Sequence, residues 1–284
     1  MASARAYWDL TKPGITRLVV LTAAAGFLLG ARDAVDPVLL AHALLGTALV
    51  AGGTNALNQW WERDADARMN RTRRRPLPAG LLRPGDALAF ALIIAITGIL
   101  WLAAFVNTLT AGLAAVSLAS YVFAYTPLKR LTPLALFVGA VPGALPILGG
   151  WTAAGAGLTA GGWVLFGILF LWQLPHFLAL GWLYRDDYRH GGFAMLSRFD
   201  PDGRRTGRQA LLYAAALLVV SLAPARVGLA GTPYVVGAAA LGLALLGWSA
   251  EMARHPTPTR ARRLFLASVL YLPALLLLLV ILPR

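Results

Sequence analysis

The chain has 284 residues, 58% hydrophobic and 13% charged, with a mean hydropathy of +0.67; soluble domains carry about 25% charged residues, so an ordinary soluble globule is excluded. Its 9 Trp, 8 Tyr and 11 Phe exclude a disordered chain, and the absence of cysteine excludes disulfides, thiolate catalysis and Cys-ligated metal sites. A formal charge of +13 would suggest nucleic acid in a soluble protein, but in so apolar a chain it is first tested as membrane topology.

A bilayer core about 30 Å thick takes about 20 apolar helical residues. The first apolar run, Leu18 to Ala31, spans once Ile15, Thr16 and a snorkelling Arg17 join its lower turn. Pro37 to Trp61 is charge-free, with Asp36 placed as N-cap and Pro37 at the first helical position. Ala87 to Leu128 holds two crossings that turn near Asn107 and Thr108, and Leu131 to Tyr184 holds two more around the Gly-rich stretch Gly149 to Gly162. Gln209 to Ala225, Val227 to Ala250 and Leu264 to Pro283 complete a predicted all-α, polytopic membrane protein of nine helices.

Short cytoplasmic loops carry the excess of Lys and Arg. With the N-terminus inside, 22 of the 25 basic residues fall on the cytoplasmic side and only Arg32, Arg226 and Arg284 fall outside. Topology therefore accounts for the charge, and no nucleic-acid partner is expected. The first apolar run lies behind Lys12-Pro13 without a small-residue cleavage site before Asp33, so a removable signal peptide is not expected.

Two of the inside loops also gather carboxylates. Glu62, Asp64 and Asp66 end the second predicted helix with Asp86 beyond, and Asp186 and Asp187 end the sixth with Asp200 and Asp202 beyond. The clusters lie about 122 residues and four helices apart, which suggests one domain built from two weak four-helix repeats, about 10–130 and 131–254, plus a ninth helix over 264–283. Asn58, Glu62 and Asp66 recur every fourth residue and share one helix face, while Asp64 points elsewhere. Three hard oxygen ligands on one stripe suit Mg²⁺, which keeps several waters and bridges to substrate phosphates. Asn70, Arg71, Arg73, Arg74 and Arg75 follow at once, and guanidinium groups grip phosphate oxygens. The combination reads as a diphosphate site. The competing reading makes Glu62 and Asp66 partners of rim arginines in surface ion pairs, and the same reading applies to Asp186 and Asp187 between Arg185 and Arg189. His42 and His176 fall inside spans, where a histidine is either hydrogen-bonded packing or a ligand; Trp172, Gln173 and Pro175 crowd His176.

These residues resemble the UbiA-type intramembrane prenyltransferases, whose first signature is an Asn-x-x-x-Asp-x-x-x-Asp stripe, and within them the branch that farnesylates protohaem IX. The strings that carry the resemblance are Leu10 to Pro13, Asn58 to Glu62, Met69 to Arg73 with Arg75-Pro76-Leu77, Tyr125 to Arg130, Trp172 to Phe177, and Asp187-Tyr188 with Met195-Leu196. Glu62 stands where the family usually has the first Asp, and Tyr184 and Tyr188 occupy the two places of the general second stripe, around Asp186 and Asp187. The resemblance implies helices packed around a central cavity and farnesyl transfer from farnesyl diphosphate to a vinyl group of haem b, with water addition, giving haem O for terminal oxidases. It implies Asn58, Glu62, Asp66, Asp187 and Tyr188 as catalytic residues, with Asn58, Glu62, Asp66, Asp186 and Asp187 around Mg²⁺. Arg71, Arg75, Tyr125, Lys129, Arg130 and His176 are implied as substrate-binding. The implied partners are the two substrates, membrane lipid, and a downstream haem-modifying enzyme or oxidase assembly, and the implied place is the bacterial cytoplasmic membrane with the active site inside.

A sibling enzyme prenylating an aromatic quinone precursor would share the diphosphate machinery, but the haem-branch strings disfavour it. A secondary transporter for an anionic substrate would place its polar site near the midplane, whereas these carboxylates gather at one face.

Overall fold

The computed structural model describes residues 4–31 and 34–282; Arg32, Asp33, Pro283 and Arg284, which entered the topology argument, lie outside the described residues. Among those described, nine helices are long and apolar enough to cross a membrane, and no strand occurs. In chain order the helices are α1 (Ala4–Leu10), α2 (Pro13–Ala31), α3 (Pro37–Asp66), α4 (Pro84–Phe105), α5 (Thr108–Leu128), α6 (Ala135–Ala153) and α7 (Ala160–Leu183). They continue with α8 (Arg185–His190), α9 (Arg204–Ser221), α10 (Ala223–Arg226), α11 (Thr232–Arg254) and α12 (Pro258–Ile281).

Charge-free stretches mark where a helix crosses hydrocarbon rather than where it begins, and the boundaries differ from the sequence reading accordingly. α9 starts at Arg204 rather than Gln209, because Asp200 accepts from the amides of Arg205 (3.2 Å) and Thr206 (2.7 Å) and from the Thr206 hydroxyl (2.7 Å). α12 starts at Pro258, capped by the Thr257 hydroxyl on the Arg260 amide at 3.3 Å. α3 begins as its sequence dictates: Asp36 Oδ1 accepts from the amides of Val38 (2.8 Å) and Leu39 (3.1 Å), and Pro37 occupies the first turn. α7 stops at Leu183, so Asp186 and Asp187 sit on the separate short helix α8 and not on the end of a span.

The chain divides into two compact units. The first comprises the chain up to Gly157 together with Asp186–Phe193, and so holds α1 to α6. Small residues bring its helices close: a Cβ on Gly26 of α2 would collide with Ile147 O, and one on Gly150 of α6 with Ala23 O. α2 and α6 therefore pack backbone against backbone, as glycine allows between membrane helices. On the other side Ala87, Ala91 and Ala95 of α4 are buried, with Gly53 of α3 against Ala91 and Ala95. α5 departs from α-geometry over Ser120–Tyr125, where it winds as a π-helix.

The second unit comprises Leu158–Arg185 with the chain from Ala194 onward, and α7 is its most buried span. Three of its buried polar groups pair with one another: Tyr234 donates to Ser221 O at 2.8 Å, and the Ser221 and Tyr271 hydroxyls meet at 2.8 Å.

Candidate active site

At about 1.5 Å per residue α3 is about 45 Å long, more than a hydrocarbon core needs, so its last turns carry polar side chains beyond the apolar slab. Asn58, Glu62 and Asp66 line the inner face there, 1%, 4% and 0% exposed, while the Asp64 side chain is 79% exposed and faces Arg63 at 3.8 Å. The four-residue spacing thus sorts the carboxylates as expected. Their burial is a correction: Glu62 and Asp66 are core groups of the first unit, not rim partners of surface arginines.

Each stripe residue meets a cation. Lys12 Nζ donates to Asn58 Oδ1 at 2.7 Å, and Asn58 Nδ2 donates to the Thr126 hydroxyl at 3.2 Å, which fixes the amide's orientation. Lys129 Nζ lies 2.5 Å from Glu62 Oε1. That oxygen is not reached along a well-aligned hydrogen-bond direction, so we read the contact as an ion pair. Arg75 Nη1 donates to Asp66 Oδ2 at 2.6 Å. Asp66 Oδ1 is buried and has no hydrogen-bond partner among the described residues. With Lys12 protonated, three cations face two carboxylates among the charged groups gathered here, and the cluster then carries a surplus of positive charge.

Local structure delivers each cation. Lys12 adopts φ +49°, a left-handed conformation costly for a residue with a Cβ, at the sharp join between α1 and α2. The join is held by Gln59 Nε2, which donates to Leu10 O (2.8 Å) and Asp9 O (3.2 Å). The Asn55 amide on the Thr16 hydroxyl (3.1 Å) and the Thr16 hydroxyl on Thr11 O (2.8 Å) hold it from the other side. Burial lowers the Lys12 pKa to about 7, Arg75 pushing the same way against the pull of Glu62 and Asp66. Lys129, four residues past the π segment's end at Tyr125, has its ammonium 4.8 Å from the Tyr125 ring centre and 5.1 Å from that of Phe193. Burial opposes its charge most strongly, but Glu62 together with Tyr121 and Tyr188 outweighs it and raises the pKa.

The basic loop after α3 is folded back by backbone contacts. The Thr72 hydroxyl donates to Asp66 O at 2.9 Å, Met69 is buried, and the amides of Asn70 and Arg71 donate to the two Asp187 oxygens at 3.3 and 3.1 Å. Arg71 donates to the Tyr188 hydroxyl at 3.4 Å and lies over its ring at 5.7 Å. Asp187 and Tyr188 therefore hold the basic loop in place. Asp186 is exposed on α8, and Arg130 is exposed beyond Lys129.

Whether the stripe suits a cation is answered by Asp66 Oδ1, a buried anionic oxygen with an unsatisfied lone pair on the helix face that also carries the Asn58 carbonyl and the Glu62 carboxylate; hard oxygens of this kind fit a divalent ion. Among the described residues no three Asp, Glu or His side chains converge as a protein-only metal cage. The ion such a stripe takes is one whose shell is completed by water and substrate oxygens.

His176, on α7 in the second unit, stacks on Trp172 with ring centres 5.0 Å apart at 26°, and meets Phe265 at 4.9 Å. The sequence carries Lys12 and Thr126 only inside the strings Leu10 to Pro13 and Tyr125 to Arg130, with no role of their own, and does not single out Asn55 or Ser268. The string Leu10 to Pro13 was the available signal for Lys12.

The chain matches the model of the UbiA prenyltransferase family over residues 19–278. It belongs to the UbiA prenyltransferase family. Among curated UbiA-family relatives, the chain is 48% identical over 280 residues to a protoheme IX farnesyltransferase of Solibacter usitatus, with 95% of each chain covered. It is 47% identical over 277 residues to a protoheme IX farnesyltransferase of Salinibacter ruber, covering 96% of this chain and 98% of that one. Its fold is that of the Archaeoglobus fulgidus UbiA homologue solved with GPP and Mg²⁺, with a TM-score of 0.67 at 14% identity over 96% of this chain and 99% of that one.

Proposed function

We propose that this UbiA-family prenyltransferase moves the farnesyl group of farnesyl diphosphate to a vinyl group of haem b. Water adds to the remaining cationic carbon, so that farnesyl diphosphate, haem b and water become haem O and diphosphate. The observation that carries the reading is the buried stripe: three cations around two carboxylates, one of which keeps a free oxygen, form a site whose charge suits an anion and whose free oxygen suits its metal. The named relatives supply the substrates.

In this reading Lys12, Arg75 and Lys129 bind the diphosphate oxygens, and Arg71 with Arg130 extends that basic surface toward the solvent. As the allylic C–O bond breaks, negative charge grows on the leaving group, and preorganised cations in a water-poor site lower that barrier most. Asn58, Glu62 and Asp66 would hold Mg²⁺, which supplies further charge neutralisation on the leaving diphosphate. Asp187, with both oxygens engaged by loop amides, holds the arginine loop, and Tyr188 orients Arg71. Tyr125 walls the Lys129 ammonium. His176 contacts the porphyrin between Trp172 and Phe265. The site faces the cytoplasm in a bacterial cytoplasmic membrane, as the basic residues direct.

Purified protein incubated with haem b, farnesyl diphosphate and Mg²⁺ is expected to give a porphyrin heavier by one farnesyl group and one hydroxyl, with no product when any component is omitted. A protein that consumes farnesyl diphosphate only with an aromatic quinone precursor refutes the haem reading. Reporter fusions are expected to place the loop at Arg71 to Arg75 inside; an external loop refutes the topology.

A further inference from the structure

The hydrogen-bond count around His176 closes on one nitrogen. Ser268 of α12 is fully buried, and its hydroxyl donates to Phe265 O at 2.6 Å. Two oxygens that close repel unless a proton lies between them, so the single hydroxyl proton is committed there, a bond that serine commonly makes to its own helix. His176 Nδ1 lies 2.9 Å from the same Oγ. With its proton used, Oγ can only accept, and Nδ1 must carry the hydrogen. A neutral imidazole protonated at Nδ1 has its lone pair at Nε2. No residue among those described hydrogen-bonds to Nε2.

The ring is held as firmly as its proton. Trp172 and Phe265 flank it. The Trp172 indole donates to Ser268 O at 2.7 Å, which ties the turn of α12 that bears the hydroxyl to the turn of α7 that bears the imidazole. Histidines that bind metal use one nitrogen and donate from the other to an orienting oxygen, which fixes the tautomer and raises ligand basicity. The contact between Ser268 and His176 has that form.

We infer that Ser268 is a positioning residue that locks His176 in the Nδ1–H tautomer and thereby assigns Nε2 as the atom offered to the iron of the porphyrin substrate. The inference rests on the haem reading above for the identity of the metalloporphyrin; the tautomer lock stands on the hydrogen bonds alone. Ser268 is not part of the diphosphate stripe, so its effect falls on the porphyrin side of the reaction.

The test uses ¹⁵N-histidine-labelled full-length protein in lipid nanodiscs, where protonated and bare ring nitrogens are resolved by chemical shift. The chain has four histidines, and the His176→Gln spectrum assigns the signal. Wild type is expected to show Nδ1 protonated and Nε2 bare, Ser268→Ala to show a mixture with Nε2–H, and Ser268→Thr to restore the wild-type pattern. Ser268→Ala keeps the backbone carbonyl that holds Trp172, so the α7 and α12 packing survives and helix content and melting temperature report it.

Ferric protoporphyrin IX is then titrated by absorbance. Ser268→Ala is expected to bind it about tenfold more weakly, as loss of an orienting partner does at metal sites, and Ser268→Thr to stay within about twofold of wild type. An Nε2–H tautomer in wild type, or no change of tautomer in Ser268→Ala, overturns the role of Ser268 whatever the porphyrin does. A tautomer that responds as expected, with porphyrin binding unmoved in His176→Gln, overturns the assignment of Nε2 to the iron and with it the haem contact of His176, while leaving the lock in place.

Discussion

Glu62→Gln separates the two jobs proposed for the stripe, because it removes a proposed metal ligand and a negative charge at once. At 2.5 Å and an effective dielectric constant of about 20, the attraction between Glu62 and Lys129 is about 7 kcal/mol before desolvation. Breaking such a buried pair from one side costs about 3–5 kcal/mol. The variant is therefore expected to melt earlier than wild type in EDTA. Its cluster now holds three cations against one carboxylate, so an incoming anion finds more positive charge. One unit of charge about 6 Å away at an effective dielectric constant of about 40 is worth about 1.4 kcal/mol, or tenfold in affinity. Pyrophosphate in EDTA should thus bind about tenfold more tightly to Glu62→Gln than to wild type and raise its melting temperature more, measured by calorimetry and thermal denaturation. Turnover with Mg²⁺ should move the other way, falling about 10²-fold or more, since a metal ion contributes several kcal/mol to leaving-group stabilisation and about 1.4 kcal/mol is tenfold in rate. Asp64→Asn, an exposed side chain in a long surface pair, should alter neither quantity. Weaker metal-free pyrophosphate binding in Glu62→Gln, or near-normal turnover with Mg²⁺, would refute the reasoning.

Lys129→Ala should weaken farnesyl diphosphate binding by about tenfold or more while leaving porphyrin affinity within about twofold; equal loss of both would show that the lysine serves the fold rather than the anion. Gly150→Ala places a methyl group against Ala23 O and Phe27 N, and should destabilise the first unit by about 1–3 kcal/mol in a denaturation series, an outcome that unchanged stability would contradict. Asp200 is pushed up by burial, but the hydrogen bonds from Thr206 and Arg205 win and lower its pKa. Its stabilisation is present above the unfolded value near 3.9 and is lost as pH falls through the lower folded value. Asp200→Asn should therefore be less stable than wild type by about 1–2 kcal/mol at pH 7, with the gap narrowing below about pH 4, whereas a constant gap down to pH 3 would exclude the linkage.

The spans were legible because each follows from one short-range rule, the length of chain that water-seeking charge leaves alone. The stripe was legible because Asn58, Glu62 and Asp66 obey helical periodicity within nine residues. What escaped depends on contacts between distant segments. Lys12 reaches Asn58 across 46 positions through a left-handed backbone that no lysine announces. Lys129 meets Glu62 only because α5 changes its winding. The hold of Asp187 on the basic loop escaped for the same reason, since side-chain spacing says nothing of the two backbone amides that donate to its oxygens. The depth of Glu62 and Asp66 could not be read from charge alone, since the same carboxylates beside the same arginines would suit a wet rim.

The π-helical stretch in α5 has a consequence for how this site varies. A π turn is an α-helix with one residue too many, and each added residue swings whatever follows by about 100°. Thr126 and Lys129 come after that stretch and face Asn58 and Glu62 with the extra residue already counted in. The aim of the lysine is thus recorded in the number of residues before it, not in the identity of any one of them. Substitution libraries, which alter letters and preserve length, leave that record untouched. Only removal of a single residue between Ser120 and Tyr125 erases it, rotating the lysine about a quarter turn from its carboxylate while every side chain of the stripe stays as it was.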